Sequence, residues 1–392
     1  MDINISKFIS KFVTKRSESL LLKNLKNFNK KLNHKINNKS ALVIGGAGTI
    51  GSSYIKALLK YNPSKVVVVD INENGLTELV RDLRSSHKIR ISNDFITYPI
   101  NFGDKVFEKV FKKHGPFQIV ANFAAHKHVR SEKDIFSIEA MIENNLLKAN
   151  SLLKLLVKYP PEHFFCVSTD KAANPVNIMG ASKKLMEELI MSYSNKINVT
   201  TARFANVAFS NGSLPLGFLE RFYKKQPWTC PLGIKRFFVS PEESGELCLI
   251  ASVLGETGDI FFPKLDEKND TMYFDDIAKN LINYLGLKID ICNSEEEALE
   301  KSSILSDDSK TYPVCFVESN TSGEKTYEEF YTEKEKLDLK KFENLGVIKN
   351  AIKRDLTEIE GVIENLQNIF LSQDYSKSEI IEILNKYLPN FK

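Results

Sequence analysis

The chain has 392 residues, 42% of them hydrophobic and 27% charged, with a net charge of +4. This balance excludes a disordered or fibrous chain and allows one large α/β domain with a lobe, or two domains. No apolar run approaches the roughly 18 residues of a membrane-spanning helix. The amino terminus also lacks the apolar core and small-residue cleavage site of a secretory signal, so a cytoplasmic protein is expected. Cys166, Cys230, Cys248, Cys292 and Cys315 are scattered, with no C-x-x-C pair. Reduced thiols are expected, with neither a zinc site nor a disulfide framework.

The first 40 residues hold ten Lys/Arg and two Asp/Glu, a local net of +8, so the remainder carries about 4 − 8 = −4. The basic character belongs to an arm, residues 1–38, and no nucleic-acid partner is expected. Ile5, Phe8, Ile9 and Phe12 fall at helical spacing, and Leu21, Leu22, Leu25, Phe28 and Leu32 repeat the pattern. Packing of two such helices on the body or on a second subunit is favoured over contact with an anionic membrane surface, because the apolar faces lack tryptophan.

From Lys39 short apolar runs alternate with helical stretches. The strand candidates are "ALVIGG", "KVVVVD", "FITYPI", "QIVANFA", "HFFCVST" and "NVTTARF". This rhythm predicts a Rossmann-type, doubly wound parallel sheet of the α/β class. The doubly wound domain is expected over 39–210. A smaller substrate-binding lobe is expected over 211–340, with some segments returning to the first domain, and a helical extension over 341–392. The polar stretch 293–311 reads as a surface loop.

"ALVIGGAGTIGSSYIKALL" is a strand, a glycine-rich turn and a helix. Gly45 permits the tight turn, Gly48 lets backbone approach a pyrophosphate, and Gly51 lets the helix close on the strand. Thr49 and Ile50 open the helix whose amino terminus faces the phosphates. Asp70 ends the next strand, nineteen residues past Gly51. An acid there holds the ribose hydroxyls and repels a 2′-phosphate, so NAD is expected over NADP. Asn101 and Phe102, and Ala124 and Ala125 at the fourth strand end, complete the expected cofactor wall.

"STDKAANPVNIMGASKK" keeps the spacing of a short-chain dehydrogenase active site, with Lys183 in place and Met179 where a tyrosine is expected. With "AAHKHV" (124–129), "RFANV" (203–207), "SNGSLP" (210–215), "KRFFVSPEESGEL" (235–247) and "GEKTYEEF" (323–330), the chain resembles the extended short-chain dehydrogenase/reductase superfamily. More narrowly, it is similar to the polysaccharide-biosynthesis branch, the UDP-N-acetylglucosamine 4,6-dehydratases, and to its retaining members with methionine for tyrosine. Asn211 and Ala205 depart from that pattern, where many members have arginine and glycine.

The resemblance implies an internal redox cycle on a nucleotide sugar, giving a 4-keto-6-deoxy product for glycan synthesis. Asp170 is then the expected acid at the C6 hydroxyl, Lys171 the base at C5, and Thr169 the partner of the C4 oxygen. Lys183 is expected on the nicotinamide ribose. Asn206, Ser210, Ser213 and Arg236 are expected to bind sugar and diphosphate, with Lys127 and His128 at the substrate wall. A homo-oligomer, a dimer or larger, is expected. Three alternatives stand beside this reading: a C5-inverting dehydratase, an epimerase on the same scaffold (a GDP-sugar being an alternative substrate), and a catalytically silent NAD-binding scaffold.

Overall fold

The computed structural model describes residues 3–318, 328–349, 351, 353–388 and 391. The chain forms two compact units, one of residues 21–204, 244–264 and 329–392, the other of residues 1–20, 205–243 and 265–328.

The larger unit is built on a nine-stranded sheet. Its strands are β1 (Ser40–Ile44), β2 (Lys65–Asp70), β3 (Asp94–Pro99), β4 (Ile119–Asn122), β5 (His163–Val167), β6 (Val199–Ala202), β7 (Asp259–Pro263), β8 (Leu337–Asp338) and β9 (Leu345–Ile348). The helices are α1 (Leu22–Ile36), α2 (Thr49–Leu59), α3 (Glu73–Ser85), α4 (Lys105–His114), α5 (Ile135–Ile142), α6 (Lys148–Lys158), α7 (Ile178–Ser192), α8 (Pro241–Leu254), α9 (Leu356–Phe370) and α10 (Lys377–Tyr387). Strand order is β8-β9-β7-β6-β5-β4-β1-β2-β3, with β7 through β3 parallel and β8 and β9 antiparallel. Central strands covered on both faces must be apolar at every position. Val66 to Val69 are accordingly fully buried. The order reverses at β1, which pairs with both β2 and β4. Ile44 lies level with Val69 and with Asn122, so three carboxyl ends finish together where such sheets bind ligands.

The alternation of strand and helix predicts β1 to β6 correctly. The sequence pattern misses β7, β8 and β9 for a physical reason: two- to five-residue apolar segments joined by loops carry too little periodicity. Their pairing to β6 is a tertiary event.

In the smaller unit, strands Asn206–Val207, Lys235–Val239 and Thr271–Tyr273 form one sheet. Strands Trp228–Pro231, Lys288–Cys292 and Thr311–Val317 form a second, parallel one. The expected surface loop at 293–311 is instead a crossover containing a helix, Glu295–Ser303. Ser294 accepts the Glu297 N–H at 3.1 Å, and three glutamates in the first turn favour the helix dipole. Polar composition hides the helix because only Ala298 is buried.

The basic arm divides between the units after Leu20. Phe8, Ile9 and Val13 enter the core of the smaller unit with Phe209, Phe218 and Trp228. Arg16 there bridges Glu243 at 2.8 Å and Asp270 at 2.6 Å. In the larger unit α1 buries Leu32 and Ile36, and its Asn24 accepts the Glu343 N–H at 2.9 Å. The apolar residues that suggested a membrane face are thus largely spent inside the protein. Among the described residues no helix is long and apolar enough to cross a membrane.

One buried ionic group ties the sheet to α7. Arg203 at the end of β6, wholly buried, donates to both oxygens of Glu187 on α7, at 3.1 and 2.6 Å. It also donates to both oxygens of Glu335, at 2.9 and 2.8 Å, and to the Phe330 carbonyl. Ser168, just past β5, donates to Glu187 at 2.9 Å. Burial alone would raise the Glu187 pKa, but Arg203 and Lys184 overcome it and hold the carboxyl down to about 2. A carboxyl depressed in the folded state adds stability above its unfolded pKa of about 4.3, and that stability is lost as pH falls through about 2. Denaturant unfolding of Glu187→Gln should show a loss of about 3–5 kcal/mol near neutral pH, with a shallower acid decline between those pH values than wild type.

Candidate active site

The glycine-rich turn works by close approach. Gly45 has φ +74°, and a Cβ there would lie 2.5 Å from the Ala124 amide nitrogen. A Cβ on Gly51 would lie 2.3 Å from the Gly45 carbonyl oxygen, so α2 can close on β1 only through glycine. α2 begins at Thr49 with Gly48 as its N-cap and no side-chain cap on its first turn. Leading N–H groups of that kind suit an anion. Ile50 follows Thr49 in the same turn.

Asp70 ends β2 with each carboxylate oxygen engaged once. Oδ2 accepts the Ala47 N–H and Oδ1 the Asn72 N–H, both at 2.9 Å. An ionised carboxylate offers about four acceptor sites, so ribose hydroxyls still find lone pairs. A cleft of about 190 Å³ opens here, lined by Gly45, Gly48, Asp70, Asn101, Phe102, Ala124 and Ala125, among others. Seven of the residues picked from sequence as cofactor contacts therefore share one wall. The cradle fits a dinucleotide through its glycine closeness, its uncapped helix start and its ribose-directed acid.

His126 and Asn144 also line the cleft. His126 lies in the quoted "AAHKHV" motif, whereas the signal for Asn144 is weak: a polar residue in the otherwise apolar stretch "MIENNLLKAN". The neighbouring Asn145 is 1% exposed and sits in a π-helical turn, Glu143–Leu147, of a kind that often marks functional sites. It accepts the His126 N–H and donates to the His126 carbonyl, both at 2.9 Å, and donates to Ser182 at 3.1 Å. Ser182 in turn donates to the Met179 carbonyl at 2.8 Å. A buried asparagine thus ties the β4 loop to α7. In that loop desolvation lowers the pKa of His126, Lys127 and His128; Lys148 adds to the effect on His126, and Lys127 to that on His128. Both histidine shifts favour the neutral imidazole.

Beyond β5 the chain turns into a short 3₁₀ helix, Asp170–Ala172, with Thr169 as its N-cap. Thr169 Oγ1 donates to Asp170 Oδ1 at 2.8 Å, and Lys171 Nζ reaches both Asp170 oxygens at 3.4 and 3.5 Å. Asp170 is 8% exposed, while Lys171 is partly open to solvent. The threonine, acid and base chosen from sequence are thus one hydrogen-bonded group.

Met179, 2% exposed, lies in the first turn of α7, and its N–H donates to Glu132 Oε1 at 2.8 Å. Sequence reasoning missed Glu132, which stands 47 residues away with no motif around it. Lys183 lies one turn after Met179, buried, with its ammonium donating to the Val167 carbonyl at 2.8 Å. Burial pushes its pKa down. It also donates to Met186 Sδ at 3.4 Å, so of its three ammonium protons one is left for a ribose.

In the smaller unit Asn206 donates to Glu328, and Arg236, 7% exposed, lies 3.8 Å from the same carboxylate. Glu328 also accepts the Phe237 N–H at 3.1 Å, which makes it the organiser of that cluster. Ser210 is buried, and Ser213 caps the helix Leu214–Tyr223. Residues 323–327 of the "GEKTYEEF" segment lie outside the described residues.

A doubly wound sheet with this turn, acid and β5–α7 constellation defines the extended short-chain dehydrogenase/reductase fold. The chain belongs to the polysaccharide biosynthesis protein family, whose pattern it matches over residues 41–350. It is 27% identical over 361 residues to the capsular polysaccharide biosynthesis protein CapD of Staphylococcus aureus, a match covering 91% of this chain and 54% of that protein. The chain therefore spans about half the length of that relative. It is 27% identical over 283 residues to an inverting UDP-N-acetylglucosamine 4,6-dehydratase of Campylobacter jejuni, covering 70% of this chain and 79% of the enzyme. A UDP-glucose 4-epimerase of Rickettsia canadensis is 28% identical over 64% of this chain and 74% of its own. In fold, the chain superposes with TM-score 0.56 on DesIV, a dTDP-glucose 4,6-dehydratase of Streptomyces venezuelae solved with NAD bound. That match has 17% identity and covers 74% of this chain and 88% of DesIV.

The close approach at Gly45 gives a direct test. Gly45→Ala should lower unfolding stability by more than about 1 kcal/mol, read by denaturant melts, since neither its φ nor its space accepts a methyl group.

Proposed function

We propose that the protein is an NAD-dependent nucleotide-sugar 4,6-dehydratase acting on UDP-N-acetylglucosamine with retention at C5. The observation that carries this reading is the bonded Thr169–Asp170–Lys171 group beside a buried Met179. Simple alcohol oxidation needs no such extra acid and base; eliminating water across C5 and C6 does. Similarity to the Campylobacter 4,6-dehydratase supports the reaction class.

NAD, when bound, supplies a hydride acceptor for sugar C4 that returns the hydride at C6. Gly45, Gly48, Thr49, Ile50, Gly51, Asp70, Asn101, Phe102, Ala124, Ala125 and Lys183 would hold it. Thr169 orients the C4 hydroxyl and passes its proton to Asp170 along their existing hydrogen bond. Lys171 removes the C5 proton that the C4 ketone acidifies. Asp170 then gives the proton it received to the departing C6 hydroxyl, and water leaves. Lys171 returns its proton to C5 on the face it came from. The hydrogens balance: the water consists of the C6 hydroxyl and the former C4 hydroxyl proton. Asp170 serves as base and acid in turn, which answers how the site works without a tyrosine.

Lys127, His128, Asn206, Ser210, Ser213 and Arg236 are the proposed sugar and diphosphate contacts. Arg236 suits the diphosphate because a guanidinium pairs phosphate oxygens in a fork. We also propose a dimer or larger homo-oligomer, and a cytoplasmic location. An inverting outcome is the second reading, favoured by the name of the Campylobacter relative.

Incubation with UDP-N-acetylglucosamine and NAD in deuterated water, followed by proton NMR, should give a 4-keto-6-deoxy sugar carrying deuterium at C5. Absence of turnover of the UDP- or GDP-sugar despite measured NAD binding, or a 4-epimer that keeps its C6 oxygen, would overturn the proposal. Asp170→Asn and Lys171→Ala should each cut kcat by about 10²–10⁴ while leaving NAD affinity unchanged by calorimetry. Asp70→Ala should weaken NAD binding about tenfold or more and narrow the gap to NADP.

A further inference from the structure

The family match ends at residue 350, and the helices beyond it, α9 and α10, have no part in the chemistry above. We infer that this carboxy-terminal pair is a brace that positions the first turn of α7, acting through Glu132 on Met179. The inference rests on the dehydratase reading for its effect on turnover, and on geometry alone for its effect on α7.

The pair is firmly seated. α9 packs against α7 and α10, burying Ile359, Val362, Ile363 and Leu366, while α10 buries Ile380 and Leu384. Arg354 staples the far end of α7: its Nε donates to Glu188 at 2.7 Å and its Nη2 to the Tyr387 carbonyl at 2.7 Å. Lys353 adds a bond to Asn195 at 3.1 Å.

At the opposite end the contacts lead to the site. Tyr375 donates its hydroxyl to Glu139 on α5. Lys377, in the first turn of α10, donates to the Glu132 carbonyl at 2.9 Å. The Glu132 side chain accepts the Met179 N–H at 2.8 Å. Two hydrogen bonds therefore connect α10 to the residue that replaces the tyrosine.

The first turn of a helix has four N–H groups without intrahelical partners. In α7 Asn177 takes that of Gly180 at 2.8 Å, and Glu132 takes that of Met179. A carboxylate here is also favoured by the helix dipole. The setting of this turn matters because a Cβ on Gly180 would stand 3.0 Å from the Lys171 carbonyl oxygen. Helix and catalytic 3₁₀ turn are in backbone contact, so a shift of one displaces the other. Misplacement by about 1 Å costs up to about 100-fold in rate.

The test uses full-length protein carrying Glu132→Ala, Glu132→Gln, Lys377→Arg or the double change Tyr375→Phe with Lys377→Ala. Hydrogen–deuterium exchange by mass spectrometry is followed over residues 176–184 and over the sheet strands, with kcat, KM and NAD affinity measured in parallel. Glu132→Ala and the double variant should accelerate exchange at 176–184 about threefold or more, with the strands unchanged. They should lower kcat about 5- to 100-fold, with KM and NAD affinity within about twofold. Glu132→Gln and Lys377→Arg, which keep an acceptor and a donor, should restore both readouts. Unchanged exchange at 176–184, an equal rise throughout the larger unit, or faster exchange with unaltered kcat would overturn the brace. A wild-type protein that turns over no nucleotide sugar defeats the dehydratase reading instead, and the exchange pattern then decides the brace by itself.

Discussion

The ion pair of Arg203 with Glu187 is the constraint on which the candidate site depends. Removing two charges from water is costly, and only full pairing makes their burial tolerable. Arg203 meets this with two carboxylates and a backbone carbonyl, and Glu187 with an additional hydroxyl. Each partner comes from a different element: the end of β6, the middle of α7, the residue after β5, and the segment at 330–335. The hydrogen-bonded Thr169–Asp170–Lys171 group begins one residue past the serine in this network. Met179 and Lys183 lie on the helix it holds. A charge cluster with no chemistry of its own thereby sets the chemical groups in register.

Around it, the same loop–helix junctions recur with different partners. Asn145 holds the β4 loop to α7 by satisfying backbone groups that would otherwise be buried without partners. Glu132 and Asn177 satisfy the first turn of α7. Glycines at 45, 51 and 180 let backbone segments meet where a side chain would collide. α7 is thus located from its start, its face and its far end. This is the rigidity expected of an element that must present groups to within a fraction of an ångström.

Much of this was legible in the chain. The β1–α2 turn and Asp70 carry a strict spacing, and the structure gathers them with Asn101, Phe102, Ala124 and Ala125 in one cleft. Thr169, Asp170 and Lys171 are adjacent in sequence, so their meeting required only a tight turn. Glu132, Asn145 and Glu335 were not legible, because each acts on residues tens of positions away and none sits in a spacing pattern. Glu328 lies in the quoted "GEKTYEEF" motif, but its partners Asn206 and Phe237 are about 90 to 120 positions away. The helix at 295–303 was hidden by its polarity, and β7 to β9 by their brevity. The arm was read as one block, yet its two helices serve different units.

The sequence by itself determined the Rossmann-type unit, the glycine-rich turn and the chemical character of the proposed acid–base group. Those are local properties: periodicity, glycine conformational freedom, and functional groups one or two residues apart. Tertiary structure alone decided where the arm's apolar faces go, which carboxylate holds Met179, and that the carboxy-terminal helices brace α7. Each of these is a pairing between distant segments. Its energy comes from burying or satisfying groups that composition and spacing leave without a visible partner.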